Sequence, residues 1–276
     1  MSVNTSVVNN KIPAIFIGHG SPMNAIEDNP YTKAWEQLGK TLPRPKAILV
    51  ISAHWYTRGT AVTSMLKPKT IHDFGGFPEA LYQIEYPAPG SPELARQVAD
   101  LLAPEPVYLD KEEWGLDHGT WEILVRMYPE ANIPVIQLSI DGTKPATWHH
   151  ELGKKLSILR EQGILIMGSG NVVHNLRAMN WQNSQAEPYP WAASFEQFVY
   201  DNLQSHEIPH PLTKGLERED GKLSNPSPEH YLPLLPILGT WDGEEGVNTP
   251  IEGIVSASLS MMSVVVGEIS SSYFRL

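Results

Sequence analysis

The chain has 276 residues, a formal net charge of −11 and an ordinary globular composition, with 41% hydrophobic and 18% charged residues, which excludes intrinsic disorder. Because an acidic chain offers no cationic face, nucleic acid and anionic membranes are excluded as expected partners. There are ten histidines and no cysteines, which excludes disulfides and leaves only imidazole and carboxylate groups as ligands for a transition metal.

The N-terminal segment, residues 1–11, is polar and lacks the basic start and the apolar stretch of a signal peptide. The longest apolar runs, such as residues 47–51 and 163–167, have the length of strands and fall well short of the ~20 residues of a membrane span. We therefore expect a cytoplasmic protein with no membrane-spanning helix.

In the first half of the chain, apolar runs of strand length alternate with segments of helical pattern. Residues 47–52 form a continuous apolar run, which is typical of a strand buried on both faces. Residues 61–65 are expected to pair with that strand, and Asp117 is expected to cap a helix. The predicted elements are strands at residues 12–17, 47–52, 61–65 and 107–109, and helices at residues 31–38, 92–102 and 118–127.

The second half continues this alternation and then becomes irregular. Residues 205–225 are polar and broken, which predicts a surface loop. The other predicted elements are strands at residues 133–140, 164–168, 255–258 and 261–266, and helices at residues 148–162, 190–203 and 228–238. These elements predict an α/β fold with one catalytic domain over residues 1–276, a core at about residues 12–266, and a mixed central β-sheet flanked by helices.

Four histidines stand at the ends of predicted elements. His19, His54 and His174 follow strands, and His230 begins a helix. Ligands of open α/β sheets bind outside the carboxyl ends of the strands, so we expect the three strand-end histidines to converge on one crevice. A single histidine beside a glycine turn is more often structural, whereas three at matching positions favour a metal site at the carboxyl ends of the strands.

Two further histidines each allow a functional and a structural interpretation. His118 is either an acid of the site or part of a helix start, and His72 is either a substrate contact or part of a turn. The sequence lacks the H-E-x-x-H zinc-protease pattern, the G-x-S-x-G nucleophile elbow and the phosphate-binding fingerprints. Four histidines are assigned to the surface: His149, His150, His206 and His210.

Six short motifs, taken together and in order, resemble the 4,5-DOPA extradiol dioxygenase family. That family belongs to the class III extradiol ring-cleavage dioxygenases, and the likeness runs from about residue 12 to residue 266. The motifs are GHGSP at 18–22, SAHW at 52–55, HDFGGF at 72–77, LDHG at 116–119, GNVVHN at 170–175 and PEHY at 228–231.

The resemblance implies that His19, His54 and His230 bind one divalent metal ion, that His174 is the acid/base residue, and that His118 lies in the second sphere of the metal. The acid/base role requires a pKa near neutrality. Many class III enzymes bind Fe(II) through two histidines and one carboxylate, whereas here a histidine stands at the third position. Fe(II) is expected for turnover, while three neutral histidines also suit Zn(II).

The expected substrate contacts are His72, Trp55 and Tyr231, which lie in or beside the same motifs. The resemblance implies insertion of both atoms of O2 into a catechol, with 4,5-cleavage of L-DOPA to 4,5-seco-DOPA. The expected partners are thus a small catechol and O2, with the chain as a monomer or a small homo-oligomer. The alternatives are a zinc hydrolase that uses the same three histidines and a metal-storage or sensor protein, although no histidine-rich tail supports the latter.

Overall fold

The computed structural model describes residues 11–269. The predictions for the N-terminal segment up to residue 10 and for a loose tail beyond residue 269 lie outside the described residues. Within residues 11–269, no helix combines the length and the apolar character that crossing a membrane requires.

An eight-stranded mixed sheet forms the centre of the molecule, in the order β4-β3-β5-β2-β6-β1-β10-β7. The four central strands, β5-β2-β6-β1, run parallel to one another, while β10 and β7 add antiparallel pairings at one side. A separate two-stranded sheet joins β8 to β9. The strands are β1 (Ala14–Gly18), β2 (Ala47–Thr57), β3 (Thr60–Thr63), β4 (Val107–Asp110), β5 (Val135–Asp141), β6 (Ile164–Gly170), β7 (Val247–Ile251), β8 (Ile254–Val255), β9 (Leu259–Ser260) and β10 (Ser263–Val266).

Both faces of the central strands are covered, which explains their continuous apolar runs. Every residue of β1, β5 and β6 is buried. Alternate residues of β2 belong to different apolar clusters, since Leu49 packs into the cluster on one face while Ile48 and Val50 pack into the other. The α/β fold with a mixed central sheet flanked by helices is therefore confirmed.

Helices pack on both faces of this sheet. The predicted boundaries of α3 and α4 are confirmed, and Asp117 caps α4 by accepting a hydrogen bond from the Thr120 backbone N–H at 3.1 Å. The helices are α1 (Pro30–Thr41), α2 (Glu79–Tyr82), α3 (Pro92–Leu102), α4 (His118–Met127), α5 (Ala146–Leu156), α6 (Ile158–Glu161), α7 (Pro190–Asn202), α8 (Glu219–Ser224) and α9 (Leu234–Gly239), with 3-10 helices at Pro22–Ala25 and Pro211–Glu217.

Several sequence predictions are wrong in their pairing or extent. The third strand does not pair with β2, because parallel partners occupy both sides of β2, and β3 instead lies between β5 and β4. The helix predicted at 148–162 is divided into α5 and α6, and the one predicted at 228–238 is reduced to α9. The predicted surface loop at 205–225 contains a 3-10 helix and α8, while β7 was not predicted.

Three of the four histidines assigned to the surface are buried. His149 is 4%, His150 9% and His210 5% exposed, whereas His206 is exposed as predicted. The physical reason is that α5 packs against α3, α9 and the 3-10 helix Pro211–Glu217, so the part of α5 that carries His149 and His150 is covered, while Glu151 and Lys154 stay exposed.

Candidate metal centre

The topology brings the ends of three neighbouring strands to one edge of the sheet. Strands β2, β6 and β1 are adjacent and parallel, so their carboxyl ends meet there. His19 follows β1 directly, and its backbone N–H donates to the Gly170 carbonyl at the end of β6 at 3.0 Å. His54 does not follow its strand as predicted but lies inside β2, where the pairing with β5 is irregular between Ile51 and Tyr56. Such irregularities re-aim side chains.

His230 reaches the same edge through close backbone packing. The backbone N–H of Asn171, just after β6, donates to the His230 carbonyl at 2.8 Å. At Gly170 a Cβ atom would lie only 2.1 Å from that carbonyl oxygen, so only glycine allows the approach. His230 lies in a turn before α9 rather than at the start of a helix as predicted. His174 stacks on His230, with ring centroids 3.4 Å apart and planes at 3°.

His118 enters the cluster from the first turn of α4. Its helix start is held by Asp117, which accepts hydrogen bonds from Ser52 Oγ at 2.8 Å and Gln137 Nε2 at 2.6 Å. The His118 ring centroid lies 3.9 Å from that of His54 and 6.0 Å from that of His19. All five histidines singled out for the metal and the acid/base chemistry therefore lie together.

A hydrogen bond at His19 and a carboxylate beside His54 favour particular ring nitrogens as the protonated ones. Ser169 donates its hydroxyl to the Gly119 carbonyl, so at 3.0 Å its oxygen accepts from His19 Nδ1. The carboxylate of Asp73 lies 3.2 Å from His54 Nδ1 and can only accept. Both contacts therefore favour the neutral tautomer that carries the proton on Nδ1 and the lone pair on Nε2.

These residues fit a bound metal ion. The two Nε2 atoms of His19 and His54 are 3.3 Å apart, and two lone pairs facing each other at that distance repel unless a cation lies between them. Tetrahedral zinc with Zn–N bonds of ~2.0–2.1 Å places its nitrogen ligands about 3.3–3.4 Å apart. The chemistry and spacing of this pair are those of two ligands of one divalent ion.

Two histidines stand close enough to be considered as the third ligand. His19, His54 and His118 form the group whose candidate ligand atoms all lie within 4.8 Å of one another. The His230 ring centroid lies 5.2 Å from those of both His19 and His54, and buried His230 Nδ1 has no hydrogen-bond partner. His230 as third ligand stays a prediction, and the tighter packing of His118 makes that residue the competing choice.

Burial keeps most of the cluster neutral in the absence of metal. Burial lowers the pKa of His19 and His230 well below the ordinary value, and the neighbouring histidines lower it further. Burial also lowers the pKa of His118. For His54 burial acts in the same direction, but the adjacent Asp73 carboxylate and the charge of Asp117 outweigh it and raise the pKa. Neutral imidazoles are the form that binds metal.

The pKa of His174 differs from the near-neutral value expected for an acid/base residue. Burial, followed by the repulsion of His54, lowers the pKa of His174 to about 4, although the charge of Glu229 acts in the opposite direction. The near-neutral pKa expected for the acid/base role is therefore not found in the metal-free cluster, because the ring is largely removed from water. At neutral pH His174 has a free lone pair and can accept a proton.

The side chains of the three expected substrate contacts all interact with other residues of the protein. Tyr231 is fully buried, and its hydroxyl donates to the Leu212 carbonyl at 2.8 Å. Trp55 stacks on Trp114 with centroids 5.6 Å apart. His72 Nε2 lies 2.9 Å from the Ile84 carbonyl oxygen, and its ring packs on aromatic neighbours that include Phe74, which itself contacts His118. Their roles as substrate contacts stay predictions.

Two polar residues of the site were not predicted. Asp73 stands beside His72 inside the HDFGGF motif, and Ser169 stands inside the GSG segment at the end of β6. The position of each beside a predicted site element was the available signal. Neither could be assigned a role from sequence, because each acts through a ring nitrogen of a histidine more than 15 residues away.

Comparison with known proteins identifies a family and two similar proteins. The family described as the catalytic LigB subunit of aromatic ring-opening dioxygenase matches residues 13–267. A protein of Escherichia coli K12 named 4,5-DOPA dioxygenase extradiol is 60% identical over 259 residues, which cover 93% of this chain and 95% of that protein. A protein of the same name from Beta vulgaris is 42% identical over 230 residues, covering 81% of this chain and 85% of the relative.

A solved structure has the same fold. The crystal structure of an uncharacterized protein from Escherichia coli K12 superposes with a TM-score of 0.84 at 55% sequence identity. The match covers 93% of this chain and all of the other.

Proposed function

The chain belongs to the family of the catalytic LigB subunit of aromatic ring-opening dioxygenase, and from this premise we propose that it cleaves L-DOPA between carbons 4 and 5 to give 4,5-seco-DOPA. It is a metal-dependent extradiol dioxygenase, an enzyme that takes a small catechol and O2. The observation that carries the proposal is the pair of Nε2 lone pairs of His19 and His54, which face each other at 3.3 Å within a cluster of five histidines.

The metal is proposed to be Fe(II) in the active enzyme and to be held by His19, His54 and His230, with Zn(II) as an alternative occupant. When bound, Fe(II) supplies the one-electron chemistry that lets a catechol react with O2. The reaction breaks one ring carbon–carbon bond, and both oxygen atoms of O2 remain in the product. The alternative of a zinc hydrolase uses the same three histidines.

The side chains of the cluster move and hold protons. Neutral His174 would accept a proton from the second catechol hydroxyl through its free ring nitrogen and return it later, which is general acid/base catalysis. His118 has the Asp73 carboxylate 2.9 Å from its Nδ1, which favours a proton on that nitrogen. Its Nε2 would then accept a hydrogen bond from the substrate and orient the ring.

A carboxylate at the partly open side of the cluster supports an amino-acid substrate. Glu229 Oε1 lies 3.5 Å from His230 Nδ1, and the side chain is 24% exposed. Among the described residues, no lysine or arginine forms an ion pair with Glu229, which instead accepts a hydrogen bond from Ser227 Oγ. A substrate ammonium group would be attracted to this charge, and a substrate with only a carboxylate would not.

The substrate proposal is tested with two catechols of equal length. The comparison partner for L-DOPA is 3,4-dihydroxyphenylpropionate, which lacks only the ammonium group. We expect wild type to prefer L-DOPA in kcat/KM, and Glu229→Gln to reduce that preference about threefold to fivefold, since a partly exposed ion pair contributes up to ~1 kcal/mol. Glu244→Gln at an exposed position is the control. Equal kcat/KM values in wild type would contradict recognition of the ammonium group.

The reaction is tested by loading metal-free protein anaerobically with Fe(II) or Zn(II) and following O2 uptake with a yellow ring-opened product. We expect uptake with Fe(II) alone, and a loss of about 100-fold or more in His174→Gln while metal binding persists. Tight metal binding without O2 uptake on L-DOPA or other catechols would remove the dioxygenase proposal and favour a zinc hydrolase.

Three further expectations remain proposals. We propose a cytoplasmic location, in keeping with the cysteine-free sequence, and one catalytic domain over residues 1–276. We also propose a monomer or small homo-oligomer, which sedimentation of the purified protein would measure.

A further inference from the structure

Asp73 contacts two clustered histidines that belong to different elements. It lies between β3 and α2, with Oδ2 3.2 Å from His54 Nδ1 and Oδ1 2.9 Å from His118 Nδ1. The backbone N–H of His118 also donates to Oδ1 at 2.9 Å. The carboxylate is therefore held in place by the first residue of α4, and its second oxygen is left for His54.

We propose that Asp73 is a positioning residue that sets the tautomer and the orientation of the His54 ring for metal binding. The proposal rests on the proposed function only in that it takes the histidine cluster as a metal centre. It assigns no proton transfer to Asp73 during the reaction.

The Asp73 carboxylate can act only as an acceptor toward the histidine ring that faces it. An ionised carboxylate has acceptors and no donor, so the Asp73 carboxylate favours the proton of His54 on Nδ1, the ring nitrogen that it approaches at 3.2 Å. The lone pair of His54 is then on Nε2, the atom that lies 3.3 Å from His19 Nε2. Carboxylate partners of this kind fix the tautomer and ring orientation of metal-binding histidines, and losing one typically weakens metal affinity 10- to 100-fold.

The two His118 contacts differ, and the difference decides how an amide would sit. His118 Nδ1 approaches Asp73 Oδ1 closely but, like His54 Nδ1 at Oδ2, is not aligned for a hydrogen bond, whereas the backbone N–H of His118 makes the defined bond to Oδ1. In Asp73→Asn, this backbone N–H would keep the amide oxygen at the Oδ1 position. The NH2 group would then face His54 Nδ1.

That replacement reverses the proton placement without changing the shape of the side chain. An amide NH2 needs an acceptor, so it would stabilise the His54 tautomer with a bare Nδ1 and a proton on Nε2. The Nε2 proton would point at His19 Nε2, where the ion should bind. A metal could bind only after His54 changed tautomer and lost its partner.

The experiment measures tautomers and metal affinity, neither of which depends on catalysis. The 15N chemical shifts of the histidine rings in metal-free protein report the tautomer of His54, and calorimetric titration with Zn(II) as the probe reports affinity. We expect the Nδ1–H form in wild type, the Nε2–H form in Asp73→Asn, and Zn(II) binding that is about 10- to 100-fold weaker in the variant. Asp100→Asn, at an exposed position of α3, should leave both readouts unchanged.

Two results would overturn the proposal. One is the Nε2–H form of His54 in the wild-type protein, a measurement that needs no variant and is independent of any folding defect. The other is Zn(II) binding by folded Asp73→Asn at the wild-type affinity. Failure of the proposed function can be told apart from these results. In that case the tautomer and the Zn(II) affinities would be as expected, but the Fe(II)-loaded protein would consume no O2 with any catechol.

Discussion

At the scale of single residues, Glu122 is a buried acid for which the proposed chemistry has no use. It lies on α4 one helical turn after His118, is fully buried, and neither carboxyl oxygen has a hydrogen-bond partner. Burial raises the pKa of Glu122 well above the ordinary value, and the charges of Asp73 and Asp117 raise it further. Glu122 is therefore protonated in the folded protein at pH values where the unfolded chain ionises it.

The linkage relation gives the sign of the effect on stability. A raised folded-state pKa means that the folded protein binds more protons than the unfolded chain, so stability falls as pH rises above about 4.5, the ordinary range of a glutamate. Each pH unit between the two pKa values costs about 1.4 kcal/mol. We expect Glu122→Gln to raise the thermal unfolding midpoint relative to wild type at pH 8 and to change it little at pH 4.

The control for this prediction is Glu85→Gln, an exposed glutamate outside the helices and strands, which should change neither midpoint. Equal effects of Glu122→Gln at pH 4 and pH 8 would mean that the pKa of Glu122 is the same in the folded and unfolded states.

At the scale of elements, the site depends on how closely α4 approaches β2. A Cβ atom at Gly119 would lie 2.7 Å from His54 Cδ2 and 2.9 Å from Ser52 Oγ. The start of α4 cannot easily retreat, because the Asp117 carboxylate ties it to Ser52 and Gln137. In Gly119→Ala, β2 and the His54 side chain would therefore have to move to make room for the added carbon.

We expect Gly119→Ala to weaken Zn(II) binding about tenfold or more and to destabilise the fold by ~1–3 kcal/mol, the usual cost of overpacking. Alanine in a helix is otherwise favoured over glycine by up to ~1 kcal/mol, so a stabilised variant would show that the contact relaxes freely. Calorimetric titration and thermal unfolding measure the two effects. Gly75→Ala, which has open space around its added carbon, should leave Zn(II) affinity unchanged.

At the scale of the whole molecule, buried histidines make stability depend on pH in the mildly acidic range. His149 lies on α5 and His210 caps the 3-10 helix Pro211–Glu217; both are buried, and burial lowers the pKa of each to about 4. The unfolded chain protonates these rings near pH 6.5. Because the unfolded state then binds more protons, stability is lost as pH falls from about 6.5 to about 4.

We expect the urea concentration at the unfolding midpoint to decrease progressively as the pH is lowered from about 6.5 to about 4. His149→Gln, which removes one titrating ring, should reduce the pH dependence, whereas His206→Gln at an exposed position should leave it as in wild type. An unchanged pH dependence in His149→Gln would place the source of the acid sensitivity elsewhere.

The sequence alone predicted those features whose signals are local. The apolar runs of β1, β2, β5 and β6, and the boundaries of α3 and α4, follow from hydrophobic pattern, the proline at the start of α3 and the Asp117 cap, all of which act within a few residues. The order of motifs predicted the family, and the positions of His19 and His54 after predicted strands of one sheet predicted that their side chains would meet.

Only the tertiary structure decided what depends on partners distant in sequence. The place of β3 between β5 and β4, the burial of His149 and His210, and the proton positions on His19 and His54 all follow from contacts across the fold. A local pattern records whether a side chain is apolar, but not which acceptor will lie beside its ring nitrogen. The sequence therefore determined which histidines could form the centre. Packing determined which of their nitrogens face one another, because groups that interact with a ring nitrogen must lie near it in space, whatever their distance in sequence.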